Sequence, residues 1–269
     1  MFKHDLFGKP LRTFPDHALA KVHCLGTDRP QLFKPRRYHF SPDAESLVPD
    51  MRLWLGSGMQ SFPKQLIDGY HAFATQRLPT EQSRYRDLSE RGQFPETMVI
   101  GCCDSRVSPE VIFDAGPGEL FVVRNIANLV PVYQPDSNAH GVSAALEYAV
   151  TVLKVKNLVV LGHAQCGGIR AFVDKIKPLT PGDFIGKWMQ MFIKPGEVVE
   201  QREHETMQDF VTRIEKAAVF RSLENLMTFP FVRERVESGD MQLHGAYFGV
   251  AEGSLFVLDR VAKEFVSVR

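Results

Sequence analysis

Two short polar clusters carry residue types able to do chemistry: Cys102-Cys103-Asp104-Ser105-Arg106 and His163-Ala164-Gln165-Cys166-Gly167-Gly168. Two thiolates and one imidazole make a borderline-soft donor set that suits zinc. His163 and Cys166 can both turn toward one ion, and Gly167 and Gly168 let the backbone come close to it. Structural zinc sites close with four Cys or His ligands, whereas catalytic sites keep a position for water. Only Cys102, His163 and Cys166 present themselves here. Cys103 is a poor fourth ligand, because adjacent strand residues face opposite sides. Asp104 faces the same way as Cys102, either to ligate the ion or to accept a hydrogen bond from its water. Arg106 is placed to hold Asp104 through a charge-assisted pair. Ser108-Pro109-Glu110 reads more simply as a helix start, with Ser108 as N-cap and Pro109 at the first helical position.

Each cluster directly follows a strand-like run. Residues 97–102, 119–123 and 157–162 are short and apolar on both faces, as buried parallel strands are. In open α/β sheets the carboxyl ends of the strands form the ligand crevice, so the two clusters meet if their strands are neighbours. The segment between Cys102 and His163 is long enough for a crossover between parallel strands. Helical periodicity fills the gaps. Residues 141–155 carry Ala144, Ala145, Tyr148, Ala149 and Leu153 on one side, and 205–229 carry Phe210, Ile214, Ala217, Ala218 and Leu223. A further amphipathic helix with Leu66, Ile67, Tyr70 and Phe73 precedes the core, and 243–250 with 254–259 reads as a terminal strand pair around Glu252-Gly253. The pattern predicts an α/β fold: a mostly parallel central β-sheet flanked by helices, with an N-terminal extended arm or tail. Residues 1–58, rich in proline and without sustained periodicity, form that extension, extended or partly disordered, and 59–269 form the zinc domain. His4, His17, His23, His39 and Cys24 in the extension match no familiar ligand spacing.

Composition narrows the partners. The hydrophobic fraction of 44% and charged fraction of 24% are those of an ordinary globular protein. Lys+Arg and Asp+Glu number 32 each, so no net field draws nucleic acid or anionic lipid. The longest uncharged stretch near the middle of the chain, 157–169, falls short of the roughly 18 apolar residues that span a bilayer, so no membrane partner is expected. The opening residues, with Lys3, His4, Asp5, Lys9 and Arg12, lack the apolar core of a secretory signal, which reads as a cytoplasmic protein. Four cysteines are too few for a disulfide scaffold. A thiol redox role for Cys102 and Cys103 ranks low, since adjacent cysteines make a strained bridge.

Cys-x-Asp-Ser-Arg followed some sixty residues later by His-x-x-Cys-Gly-Gly resembles the β-class carbonic anhydrases. The resemblance runs from about Met59 to the C-terminus and includes residues 121–128, Glu147-Tyr148 and Leu243-His244-Gly245. It implies one Zn2+ per chain on Cys102, His163 and Cys166, with Asp104 and Arg106 as a gatekeeping pair. It further implies a hydrogen bond from Gln93 to substrate, an apolar carbon dioxide pocket of Phe121, Ile126 and Tyr148, and a backbone N–H offered by Gly167. In the family that pocket takes residues from two subunits, so a homodimer or a higher even homo-oligomer is implied. Val99 stands where closed-site members commonly carry Trp, which with Gln93 favours the plant-like open type, although Arg124 is common to both. The reaction implied is reversible hydration of carbon dioxide to bicarbonate and a proton by zinc-hydroxide attack. Two thiolates predict a less acidic bound water than three histidines, hence activity rising with pH. Carbonyl sulfide or carbon disulfide as substrate, and a noncatalytic zinc protein, are the rival readings. Asp104, Arg106 and Gln93 argue against the last, because a structural site has no use for them. His140, His204 and His244 are available as proton carriers, although surface or capping roles suit each better.

Overall fold

Runs rich in β-branched and aliphatic residues build the sheet that positions the site. In the computed structural model, described for residues 62–194 and 196–268, six strands lie in the order β2-β1-β3-β4-β5-β6. They are β1 Thr97–Cys102, β2 Leu120–Asn125, β3 Asn157–His163, β4 Gln242–Gly249, β5 Ser254–Asp259 and β6 Glu264–Ser267. The first four are parallel, and β5 and β6 add on in antiparallel fashion. The expected central α/β sheet is therefore present, and the pair around Glu252-Gly253 gains a third strand, β6. The clusters containing Cys102 and His163 follow β1 and β3, which are direct neighbours with Met98 beside Leu158.

The helices are α1 Lys64–Ala72, α2 Leu78–Arg91, α3 Pro109–Ile112, α4 Gly141–Glu147, α5 Gly167–Val173, α6 Phe184–Gln190, α7 Met207–Leu226 and α8 Pro230–Glu237. One sheet face presents Met98, Ile100, Leu158 and Val160 to Leu146, Ala149, Val150, Val219, Leu226 and Val232 from α4 and its continuation, α7 and α8. The opposite face carries a smaller cluster of Val99, Leu161 and Ala246, packed by Ile112 and Phe113. Expected coverage is thus heavy on one face and light on the other. Strand β2 is half-buried throughout, because it is the edge of the sheet.

Four details differ from the sequence reading. The helix expected over 141–155 is α-helical to Glu147 and continues as a π-helical turn over Tyr148–Val152. The helix expected over 205–229 starts at Met207, where the Thr206 hydroxyl caps the Asp209 N–H, and breaks before Pro230 opens α8. Ser108 does precede α3, but its hydroxyl donates to Glu110 at 2.9 Å and caps no backbone N–H. The helix with Leu66 and Tyr70 is followed by a second, α2, whose Arg84 donates to the Pro117 carbonyl and pairs with Glu119. His4, His17, His23, His39 and Cys24 lie outside the described residues. Among the described residues, no helix is long and apolar enough to cross a membrane.

Candidate metal centre

Cys102 closes β1, His163 closes β3, and Cys166 stands just before α5, so strand pairing brings all three to one point. All are buried. One ligand atom from each lies within 4.8 Å of the others, and the two sulfurs are 4.0 Å apart. Tetrahedral zinc with Zn–S bonds of about 2.3 Å places its sulfurs about 3.8 Å apart. His163 Nδ1 lies 2.9 Å from the Ala164 carbonyl, which can only accept, so Nδ1 carries the proton. That leaves the Nε2 lone pair, a fully buried atom with no hydrogen-bond partner in the protein. A buried orphan of this kind costs about 1–3 kcal/mol, and a metal ion satisfies it. The donor set therefore fits zinc.

Of the two thiols, that of Cys102 is the one prepared for ionisation. Backbone N–H groups of Asp104 and Ala127 point at Cys102, and those of Gly168 and Ile169 at Cys166. The Cys166 thiol donating to Cys102, together with these groups, brings the Cys102 thiol down. The same partnership, with burial, pushes the Cys166 thiol up. One proton of the pair leaves readily, and the second needs a cation to displace it.

Beside the cluster, Arg106 grips Asp104 bidentately, Nε to Oδ1 at 2.9 Å and Nη2 to Oδ2 at 2.7 Å. The Arg106 side chain holds the Asp104 carboxyl well below the usual carboxylate range. Arg106 Nη2 also donates to the Gln165 carbonyl at 3.0 Å, joining the two clusters. Arg124 contributes a second tie, donating to the backbone carbonyls of Cys102 and Asp104, each at 2.7 Å. On the inner side, Glu215 of α7 accepts from the Cys166 N–H at 2.8 Å and from the Tyr247 hydroxyl at 2.7 Å. Burial pushes the Glu215 carboxyl up, against these two donors. Neither Glu215 nor Tyr247 is singled out by the sequence reading. The available signal is a carboxylate inside the apolar stripe formed by Val211, Ile214, Ala218 and Val219.

Comparison with known proteins agrees with this geometry. The sequence model of the family described as "Carbonic anhydrase" matches residues 97–255. Beta carbonic anhydrase 3 of Arabidopsis thaliana is 38% identical over 195 residues, 71% of this chain and 74% of the relative. The chain belongs to the β-class carbonic anhydrases. The solved β-carbonic anhydrase CcaA superposes with a TM-score of 0.70 at 27% identity, over 77% of this chain and 100% of that one. A β-carbonic anhydrase of Sordaria macrospora, described as tetrameric, gives 0.59 at 28% identity over 72% and 95%. The chain is thus a zinc enzyme of carbon dioxide hydration, and Cys102, His163 and Cys166 form a group that could hold the metal.

The remaining residues expected in this carbonic anhydrase's site do not all converge in one chain. Ile126 follows β2 at the metal end of the sheet, where its side chain packs against Gly168. Gly167 opens α5 and faces open space. Phe121 is level with Met98, four residues before Cys102, or about 13 Å back along the strand. The Tyr148 ring lies 5.9 Å from that of Phe121. Gln93 is exposed and precedes the amino end of β1. Tyr148 and Ile126 are 44% and 39% exposed, which leaves an apolar surface on the enzyme. Cys103 is exposed and outside the cluster, as strand alternation requires. Of the candidate proton carriers, His140 pairs with Asp136, and His244 bonds Asn157 four residues below the level of His163. His204 is exposed, in a turn with positive φ.

Proposed function

We propose that the enzyme hydrates carbon dioxide by zinc-hydroxide attack, with Cys102, His163 and Cys166 as metal ligands. The observation that carries this reading is a buried group of three ligands that Asp104 does not join, its carboxylate being turned to Arg106 instead. Bound zinc supplies an activated water as nucleophile at neutral pH. Asp104, fixed by Arg106 and ionised, accepts a hydrogen bond from the attacking oxygen and orients it. Gly167 offers its N–H to the substrate from the start of α5. Overall, carbon dioxide and water give bicarbonate and a proton. Asp104 held by Arg106 and the small Val99 both favour the open type.

Gln93, Phe121 and Tyr148 complete the site from a second copy of the chain. Their distance from their own metal cluster along β1 and β2 supports this, as do the exposed apolar side chains at Tyr148, Ile126 and Phe94. The tetrameric state of the Sordaria macrospora relative supports an even homo-oligomer.

Stopped-flow hydration by purified protein of assayed zinc content tests the reading, beside Cys102→Ala and Asp104→Asn. Rapid turnover at one zinc per chain, rising from pH 6 to 9 and lost in both variants, is expected. Full turnover in Cys102→Ala, or zinc bound without turnover at pH 8.5, would overturn it.

A further inference from the structure

The turn carrying the third metal ligand holds an unfavourable backbone shape. Gln165 has φ of 57°, the left-handed region that is unfavourable for a residue with a Cβ. Its carbonyl is held on the outer side by Arg106 at 3.0 Å. On the inner side, Glu215 Oε1 accepts the N–H of Cys166, the next residue, at 2.8 Å. Glu215 is 2% exposed and lies in the middle of α7, where an apolar residue would pack at less cost. Its other oxygen is engaged by Tyr247 at 2.7 Å, from the β4 position paired with Gly162. Both oxygens thus meet a donor, and each donor belongs to a segment adjoining the metal ligands.

We propose that Glu215, steadied by Tyr247, is a positioning residue for the metal site. It clamps the Cys166 backbone to α7, so that the Cys166 sulfur faces those of Cys102 and His163 Nε2 before the ion arrives. The inference rests on zinc being held at these three residues. Partners that orient metal ligands typically contribute 10–100-fold to metal affinity. Glutamine can replace this carboxylate bond for bond: its Oε1 accepts from Cys166, and its NH2 donates to the Tyr247 oxygen, which accepts as well as donates. Alanine can do neither.

The test is zinc affinity of the full-length protein by chelator competition, with the thermal midpoint of each metal-free form measured alongside. Glu215→Ala is expected to weaken zinc at least tenfold, Glu215→Gln by about threefold or less, and Tyr247→Phe by an intermediate factor. In cobalt-substituted protein, the thiolate-to-metal absorption should change in Glu215→Ala and be restored in Glu215→Gln. Zinc affinity unchanged in Glu215→Ala, whatever happens to its thermal midpoint, would overturn the proposal and leave Glu215 a core residue. So would a glutamine variant as weak as alanine. If Glu215→Ala does not fold, Tyr247→Phe decides, with unchanged zinc affinity counting against the clamp. A parent chain that takes up no zinc would overturn both this inference and the reading on which it rests.

Discussion

Asp104 has little freedom of its own, since both oxygens are held by Arg106 and Oδ1 also accepts the Arg106 backbone N–H at 3.1 Å. Lysine cannot reproduce a planar two-point grip. Arg106→Lys is therefore expected to lower kcat/KM at least tenfold, and Arg106→Ala further, both with zinc content unchanged; loss of zinc in either would place Arg106 among the groups that retain the metal. A second residue is constrained by space. A Cβ on Gly168 would come within 2.6 Å of the Ile126 Cγ2 and 3.3 Å of the Ala127 Cβ. Ile126 is β-branched and stiff, and Ala127 supplies an N–H to Cys102. Gly168→Ala should thus cost about 1–3 kcal/mol by denaturant unfolding and weaken zinc retention as the turn shifts. Gly167→Ala, with open space around its Cβ, should cost less in the same assay.

Helix α7 is tied at its start by Arg213, which grips Glu205 at 2.7 and 2.8 Å and holds that carboxyl down to about 2. A carboxyl whose folded pKa is depressed stabilises the fold above its unfolded pKa of about 4.3, and that stability is lost as pH falls toward the folded value. Glu205→Gln should therefore lower the thermal midpoint at pH 6, and the gap from the parent should narrow as pH falls from about 4.3 toward 2. A gap independent of pH would assign the loss to packing. The elements around this helix also show what periodicity reveals. Strands β1 and β3 are visible because both faces are buried, which leaves uninterrupted runs such as Leu158-Val159-Val160-Leu161. Helix α5 is masked by the glycines that open it, Gly167 and Gly168, and has only seven residues. The break before α8 is hidden because apolar residues continue through Met227, Phe229 and Phe231 while the chain turns at Pro230. Among the candidate site residues, the three proposed metal ligands and the Asp104–Arg106 pair can be read from local spacing. Glu215 cannot, because its partners Cys166 and Tyr247 are distant in sequence and a helical glutamate is by default solvated.

At the scale of the whole molecule, the described residues present exposed apolar side chains. Helix α1 has no buried residue, and Leu66, Tyr70, Phe94 and Tyr148 are each more than two-fifths exposed. With formal net charge +0, little repulsion keeps copies apart. Sedimentation should show a dimer or an even multiple, and Tyr148→Asp should shift the protein toward monomer with activity falling in parallel; an active monomer would remove the need for a shared site. Zinc held at the proposed ligands should also act on the fold, because it would join the end of β1 to the turn after β3. Chelation is expected to lower the thermal midpoint, with recovery on adding zinc back. The placement of the ligands has a kinetic consequence too. Cys102 and Cys166 are 64 residues apart, and the side-by-side alignment of β1 and β3 brings their segments together. During refolding, tight zinc capture must wait for that long-range pairing, so the moment of metal uptake becomes a clock for the assembly of the sheet's centre.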